Sequence, residues 1–435
     1  MIYMPHWPKL ISCPLDGNAM DRVENSMRKL GNPERDMPPI VHISGTNGKG
    51  STLAFIRYIM QAAGYRVHAY TSPHLIYFNE RIVIAGKHIS DNELYNLLEE
   101  CRIAINDQPT TLFEAATITA FLAFARNKAD ITLIEVGMGG RLDATNVIEN
   151  PILTIITSIA LDHTEYLGPT VEIIAGEKAG IMKNSIPCVI AAQENSVMDI
   201  LGFHAALKKA PLYRNGLEWN CYKENNKMIF QSSVQSIEFP LPSLTGNHQI
   251  TNAGNAIAAC SILSGKYGFN IHEGDIARGL QHTYWPARLE QIKTGKLISL
   301  LPNDWKLFLD GAHNNDGARI LSEWVTDNFP DGIYMIFGLT RNRDVEQFLH
   351  HFKSYIKLLC AVCVQSELNA NNAVLIKEIA NKIGINAFAC ESISDSISNH
   401  ILKITNQNVK TILICGSLFL ARDLAIENGT SAQMS

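Results

Sequence analysis

The most constraining feature of the chain is a short β-branched run that ends in a glycine-rich turn and passes directly into an apolar-striped helix. Pro39-Ile40-Val41-His42-Ile43 reads as a strand and Gly45-Thr46-Asn47-Gly48-Lys49-Gly50-Ser51-Thr52 as the turn. Leu53, Ile56, Met60 and Ala63, at steps of three, four and three, then share one helical face. Glycines in such a turn let successive backbone N–H groups face inward, and the helix N-terminus adds partial positive charge. With Lys49 adding a mobile full charge, the segment resembles a Walker-type phosphate loop. It departs from the common form in having Gly50 between the lysine and the hydroxyl residue. A plain glycine-rich turn with a solvated lysine is the simpler alternative, and the strand before and helix after weigh against it.

Two further runs, Ile131–Val136 and Ile152–Ile156, are apolar on both faces, as in a parallel sheet covered by helices. The fold class is therefore α/β. From Ala191 to Phe239 the pattern degrades into Asn215-Gly216 and Asn225-Asn226 pairs among short aromatic stretches, which reads as turns and hairpins. A second α/β series restarts after Trp285-Pro286-Ala287, with strands at Leu307–Leu309, Tyr334–Phe337, Leu358–Val364 and Thr411–Cys415. The boundary is placed near Pro286. This gives two unlike α/β domains, the first over 1–286 with a parallel-rich sheet and the second over 287–435. The 435 residues are enough for two such domains.

Lys plus Arg total 37 against 42 for Asp plus Glu, a net −5, which does not favour nucleic acid or an anionic membrane as partner. No apolar run reaches the ~18 residues that span a bilayer, and MIYMPHWPKL lacks a signal-peptide layout. Nine scattered cysteines suit reduced thiols, so a cytoplasmic protein is expected. Cys360-Ala361-Val362-Cys363 has redox spacing. Inside the apolar run LLCAVCV, however, its thiols would point to opposite faces of a strand, and core packing is the reading.

Carboxylates at the C-terminal ends of parallel strands face the ligand crevice. Glu135, which closes the second strand ahead of Gly137-Met138-Gly139-Gly140-Arg141, is placed like a Mg²⁺ ligand; pairing with Arg141 is the alternative. The third strand leads into Ser158-Ile159-Ala160-Leu161-Asp162-His163, where His163 suits a metal or a substrate, or is an ordinary hydrogen-bonded histidine. Lys178 by itself would be a solvated helix lysine. Asp310, in Asp310-Gly311-Ala312-His313-Asn314, is either a nucleotide contact or a helix N-cap.

HISGTNGKGST, YTSPHLIYFNERI, LIEVGMGGRLDATNVI, TSIALDHTEYLG, GEKAGIMK and LDGAHNNDGA occur in this order between about Leu15 and Asp423. This series resembles the folylpolyglutamate synthase and dihydrofolate synthase family, within the Mur ligase superfamily. The resemblance implies an ATPase domain followed by a smaller Rossmann-like domain. It assigns Thr46, Asn47, Gly48 and Lys49, with the loop's Gly50 and Ser51, to ATP phosphates, and adds Asn252, Arg288, Asp310 and His313 to the nucleotide site. Mg²⁺ goes to Ser72, Glu135 and His163, and Lys178 becomes an N6-carboxylysine beside them. The pterin is expected at Thr111-Leu112-Phe113-Glu114 and Leu142-Asp143-Ala144, with a further contribution around Pro14 to Asn18. The chain departs from the family at Ala287, where a glycine is usual, and at Asn315, where a proline is usual.

The activity so implied is ATP-dependent amide ligation in folate biosynthesis and one-carbon metabolism: L-glutamate joined to dihydropteroate, and further glutamates to reduced folates, through an acyl phosphate. Lys49, Glu135, His163 and Lys178 are the expected catalytic group, and a monomer is the expected state. Alternatives are a folylpolyglutamate synthase with one activity, a Mur-type cell-wall ligase, and a nucleotide-dependent regulatory protein. YTSPHLIYFNERI and GRLDATN resemble the folate branch and speak against the cell-wall reading. A regulatory protein would have little reason to keep Glu135, His163 and Lys178 together.

Overall fold

The computed structural model of the chain describes residues 19–106, 108–367, 369–404 and 408–430. They fall into two compact units: the described residues up to Ser243 with His248–Tyr284, and Leu244–Asn247 with the residues from Trp285 onward.

The first unit is built on β1 (Ile40–Ser44), β2 (Val67–Tyr70), β3 (Ile82–Ile84), β4 (Lys87–His88), β5 (Ile131–Glu135), β6 (Leu153–Ile156), β7 (Cys188–Ile190) and β8 (Leu212–Arg214). They form one sheet in the order β4-β3-β2-β5-β1-β6-β7-β8. From β2 to β8 along that order every pairing is parallel, and β3 and β4 add an antiparallel edge. β1, β2, β5, β6 and β7 are buried along their whole length, which is why their sequences are apolar without alternation. The helices Ala19–Lys29, Asp91–Ile105 and Leu112–Arg126 contribute Val23, Met27, Leu98, Phe121 and Phe124 to one core cluster. Ile174, Met182, Val197 and Leu201 belong to a second.

The helix after the glycine-rich turn spans Lys49–Ala62 and buries Leu53, Ile56 and Met60, as their spacing requires. It lies close against the helix Glu273–His282. A Cβ at Gly279 would stand 2.6 Å from the Cα of Ile59, so only glycine fits there.

The stretch read as turns and hairpins is in part a helix, Asn195–Lys208. Beyond it the expectation is met by a three-stranded antiparallel meander of β9 (Trp219–Glu224), β10 (Lys227–Ser232) and β11 (Ser236–Pro240). Glu224 pairs with Lys227, leaving Asn225 and Asn226 as a two-residue loop with φ of 45° and 60°. Asparagine is among the few side chains that tolerate that left-handed pair.

The second unit holds a six-stranded sheet of β12 (Glu290–Ile292), β13 (Lys306–Leu309), β14 (Ile333–Phe337), β15 (Ile356–Ala361), β16 (Ala387–Ala389) and β17 (Thr411–Cys415), ordered β12-β13-β17-β14-β15-β16. Only β12 runs antiparallel to its neighbour. The strand expected over Leu358–Val364 stops at Ala361, because β14 and β16 end level with it at Phe337 and Ala389. Cys363 therefore lies outside the sheet, and Cys360 is buried within it.

Candidate active site

In the first unit Ile43 sits opposite Glu135 and Ser44 opposite Ile156, so the loops leaving β1, β5 and β6 start from one edge. Such an edge is where open parallel sheets bind ligands. The loop after β1 is held against its neighbours by short bonds. The Thr46 N–H donates to the Ser158 carbonyl at 2.8 Å, and the Thr157 hydroxyl donates to the Asn47 carbonyl at 2.7 Å. Gly45 and Gly48 have φ of 145° and 88°; Cβ atoms there would lie 1.8 Å from Thr157 Oγ1 and 2.3 Å from Asn252 Oδ1. Both glycines are thus required by backbone conformation and by space. Asn252 seats on the loop itself.

Gly48 is the N-cap of the following helix and supplies no capping side chain, so the N–H groups of Lys49, Gly50 and Ser51 open the helix. Lys49 Nζ folds back and donates to the carbonyls of Gly45 and Thr46, each at 3.1 Å. Gln249, which the sequence reading did not single out, reaches Ser51 Oγ at 3.4 Å and accepts from Asn252 Nδ2 at 3.0 Å. Its signal was present in the i, i+3 spacing to Asn252 on one helix.

Lys178 is not a solvated helix lysine. It is buried in the helix Val171–Ala179 and its Nζ donates to the Gly45 carbonyl at 2.8 Å. Burial chiefly, with the nearby Lys49 charge, pushes its pKa down to about 7 against the opposing pull of Asp162 and Asp143. Glu135 is buried at the end of β5, with its Oε2 3.3 Å from the Ser72 N–H. Arg141, the alternative partner for Glu135, pairs with Glu177 at 2.8 Å. His163 is half-buried in a left-handed conformation (φ 50°) at the start of a short helix, and its N–H donates to Asp162 Oδ1 at 2.8 Å. The same oxygen lies 3.8 Å from His163 Nε2. Asp162 is a further site residue, legible only as a carboxylate next to a strand-end histidine.

Thr111 caps the helix Leu112–Arg126, and its capping box is closed by Glu114. The buried Glu114 carboxylate also takes Arg22 in a two-pronged bond, 2.6 and 3.1 Å. Nothing in the sequence around Arg22 marked it. Phe113 lies over Gly137, where a Cβ would come within 2.4 Å of the ring, and 5.9 Å from the Tyr70 ring; Leu112 is exposed. Asp143 is buried between the half-buried Leu142 and the buried Ala144. Its carboxylate turns into its own loop, accepting from the Met138 and Thr145 N–H groups and the Thr145 hydroxyl at 2.9, 3.0 and 2.6 Å. Because that hydroxyl proton goes to Asp143, His42 Nε2–H must donate to Thr145 Oγ1, 2.8 Å away. Burial pushes the His42 pKa down to about 3 and keeps the ring neutral. The segment Pro14 to Asn18 lies outside the described residues.

Within the second unit, Asp310 does not cap the helix that follows; Asn314 does, accepting from the Gly317 N–H at 2.8 Å. Asp310 instead accepts from the Leu289 and Ala312 N–H groups, each at 2.8 Å. Arg288 Nη1 donates to the Ala287 carbonyl at 2.9 Å, and His313 Nδ1 is 2.9 Å from the Gly311 carbonyl. Ala287, where the family usually has glycine, has a left-handed backbone with φ of 55°.

The phosphate loop and the strand-end carboxylate at the edge of a parallel sheet form a P-loop nucleotide site, and the family matches make it that of an ATP-dependent ligase of the Mur type. Residues 43–260 match the Mur ligase middle domain, and residues 295–427 match the dihydrofolate synthetase C-terminal domain. The dihydrofolate synthase/folylpolyglutamate synthase of Bacillus subtilis is 33% identical over 93% of this chain and 94% of its own. The chain belongs to the folylpolyglutamate synthase and dihydrofolate synthase family. Escherichia coli FolC in complex with DHPP and ADP superposes with a TM-score of 0.82 at 27% identity, covering 96% of this chain and 94% of that one. A bifunctional folylpolyglutamate synthase/dihydrofolate synthase with Mn, AMPPNP and L-glutamate bound does so at 0.79 and 27%, covering 94% and 93%.

Proposed function

We propose that the protein joins L-glutamate to dihydropteroate, forming dihydrofolate, and adds further glutamates to reduced folates, using ATP. The observation that carries this is the meeting of the phosphate loop with Ser72 and Glu135 at one sheet edge, in a chain that matches a relative named for both activities over nine-tenths of its length.

A carboxylate is a poor acylating agent because its leaving group would be oxide. Transfer of the γ-phosphoryl group to the carboxylate makes an acyl phosphate, from which the amine of glutamate displaces phosphate. The N–H groups of Gly48 to Ser51 bind phosphate oxygens, and Lys49 holds positive charge at the loop mouth. Asn252 fixes the loop at Gly48. The half-buried Phe113, whose ring tip stands against Gly137, is assigned to the pterin on the family resemblance, together with Thr111, Leu112, Glu114, Leu142 and Ala144. Asp143 acts there by bracing its own loop. On the family resemblance Arg288, Asp310 and His313 are assigned to the nucleotide.

Ser72, Glu135 and His163 are the residues that would hold Mg²⁺. The donor set suits a divalent cation, since the Ser72 backbone already stands at the Glu135 carboxylate and Asp162 holds the backbone N–H of His163. When bound there, the cation offsets negative charge on the phosphate oxygens. Lys178, with its lowered pKa, is read as the site of N6-carboxylation. We assign the phosphate loop and the pterin site to a domain over 1–286, and a Rossmann-like domain to 287–435. A cytoplasmic monomer is proposed, the compartment supported by the scattered cysteines and the monomer by the family resemblance.

The test supplies purified protein with ATP, Mg²⁺ and glutamate, and separately with dihydropteroate or a reduced folate. ADP release and glutamylated product are expected with each. Glutamate added only to substrates that already carry one would leave folylpolyglutamate synthase as the single activity.

A further inference from the structure

We propose that Cys390, Asp395 and His400, in the second unit, form a binding site for a thiophilic divalent cation, with zinc the ion its donors select. The thiol sulfur, a carboxylate oxygen and a ring nitrogen of these residues lie within 4.8 Å of one another. Tetrahedral zinc with bonds of ~2.0 to 2.3 Å sets its ligands roughly 3.5 Å apart, so side-chain rotation by about 1 Å closes the set around an ion. One thiolate among three donors favours zinc over the hard cation that serves a phosphate site.

The local fold explains why three residues ten apart in sequence converge. Cys390 follows β16 and is anchored by its N–H, which donates to the Ala361 carbonyl at 2.8 Å. Asp395 ends a short helical turn capped by Ser392. Ser396–His400 is then a π-helical turn. In an α-helix a residue five positions on is turned about 140° away; the i to i+5 repeat of a π turn brings it back over the starting residue. His400 is five residues after Asp395, and its Nε2 comes to 4.0 Å from Asp395 Oδ2.

The surroundings hold the donors in place. Asp395 Oδ1 accepts from Asn399 Nδ2 at 2.8 Å and Oδ2 from the Glu391 N–H at 3.0 Å. Each carboxylate oxygen retains a lone pair for an ion, and such outer bonds are what orient metal-binding carboxylates. The His400 ring lies 4.8 Å from that of Phe388. The buried Cys360 thiol, in β15, donates to the Ser396 carbonyl at 3.9 Å, on the segment that carries Asp395 and His400, and the Cys390 thiol lies 4.0 Å from the Phe388 carbonyl. An Asp395–His400 ion pair alone would call for neither thiol.

The experiment strips the full chain of metal with a chelator and titrates it with Co²⁺, the spectroscopic stand-in for Zn²⁺. A thiolate-to-cobalt charge-transfer band that saturates at one equivalent is expected, bleached by Zn²⁺ and unchanged by excess Mg²⁺ or by Glu135→Gln. Cys390→Ser and His400→Ala should each weaken Co²⁺ binding by more than about tenfold, and Cys363→Ser should leave it intact. Circular dichroism checks each fold; should Cys390→Ser fail to fold, the half-buried His400→Ala decides. Absence of the band in the parent protein, or an undiminished band in His400→Ala, overturns the proposal.

Discussion

Lys178 Nζ stands 2.8 Å from the carbonyl oxygen of Gly45, a residue 133 positions earlier, and Lys49 Nζ reaches the same oxygen at 3.1 Å. Two cationic side chains sharing one buried acceptor is an unfavourable arrangement unless one gives up its proton. Burial and the Lys49 charge push Lys178 in that direction, to a pKa of about 7. A neutral amine adds CO₂ to give a carbamate and a proton, which replaces a repelled cation with an anion. This is the arrangement on which the proposed N6-carboxylation of Lys178 rests.

The first prediction concerns pH. The folded pKa of about 7 lies below the ordinary 10.5, so between those values the unfolded chain binds more protons and stability rises with pH. In CO₂-free buffer the unfolding free energy should climb from pH 7 toward 9, by up to about 1.4 kcal/mol per unit, and Lys178→Met should flatten the slope. Urea unfolding at three pH values reads this out. Added bicarbonate should raise ligation by the parent protein, whereas Lys178→Ala should be inactive and Lys178→Arg should not restore it.

Lys49→Ala should lower ligation more than tenfold, a barrier increase above ~1.4 kcal/mol. The variant removes the loop's mobile charge and leaves the buried stripe of its helix untouched. Near-normal turnover in a folded Lys49→Ala protein would remove Lys49 from the phosphate site.

Glu135→Gln keeps the shape of the strand end and weakens its claim on a divalent cation. Activity should fall and recover in part as Mg²⁺ is raised. A defect that ignores metal concentration would show that Glu135 acts otherwise.

Arg22 and Glu114 form a nearly buried ion pair, with side-chain exposures of 11% and 3%. Truncating one partner leaves the other charge buried, so Arg22→Ala should cost about 3 kcal/mol of stability. Arg22→Met combined with Glu114→Leu should recover most of it. Dihydropteroate use should fall in both variants, because the pair fixes the first turn of the helix that carries Phe113.

The strand, glycine-rich turn and helix from Ile40 to Ala62 were legible in sequence because parallel strands buried on both faces leave continuous apolar runs and Gly48 admits one kind of turn. The helix Asn195–Lys208 was not. Its Phe203 and Leu207 are more than half exposed and blur the apolar stripe. β12 and β16, three residues each, are too short to carry any period. Glu135 was readable from its place at a strand end. The inward turn of Asp143, the pairing of Arg22 with Glu114 and the burial of Lys178 depend on segments far apart in sequence, and no local pattern encodes them.

The seat of Asn252 against Gly48 has a consequence for how the protein is made. Synthesis runs from the N-terminus, and the loop emerges some two hundred residues before the helix that completes it. A ribosome-bound chain therefore carries the whole glycine-rich motif while still lacking the asparagine that fixes it and the lysine beneath it. Nucleotide capture should appear late on the nascent chain, after residue 252 has left the exit tunnel, and its onset would date the closure of the first unit during translation.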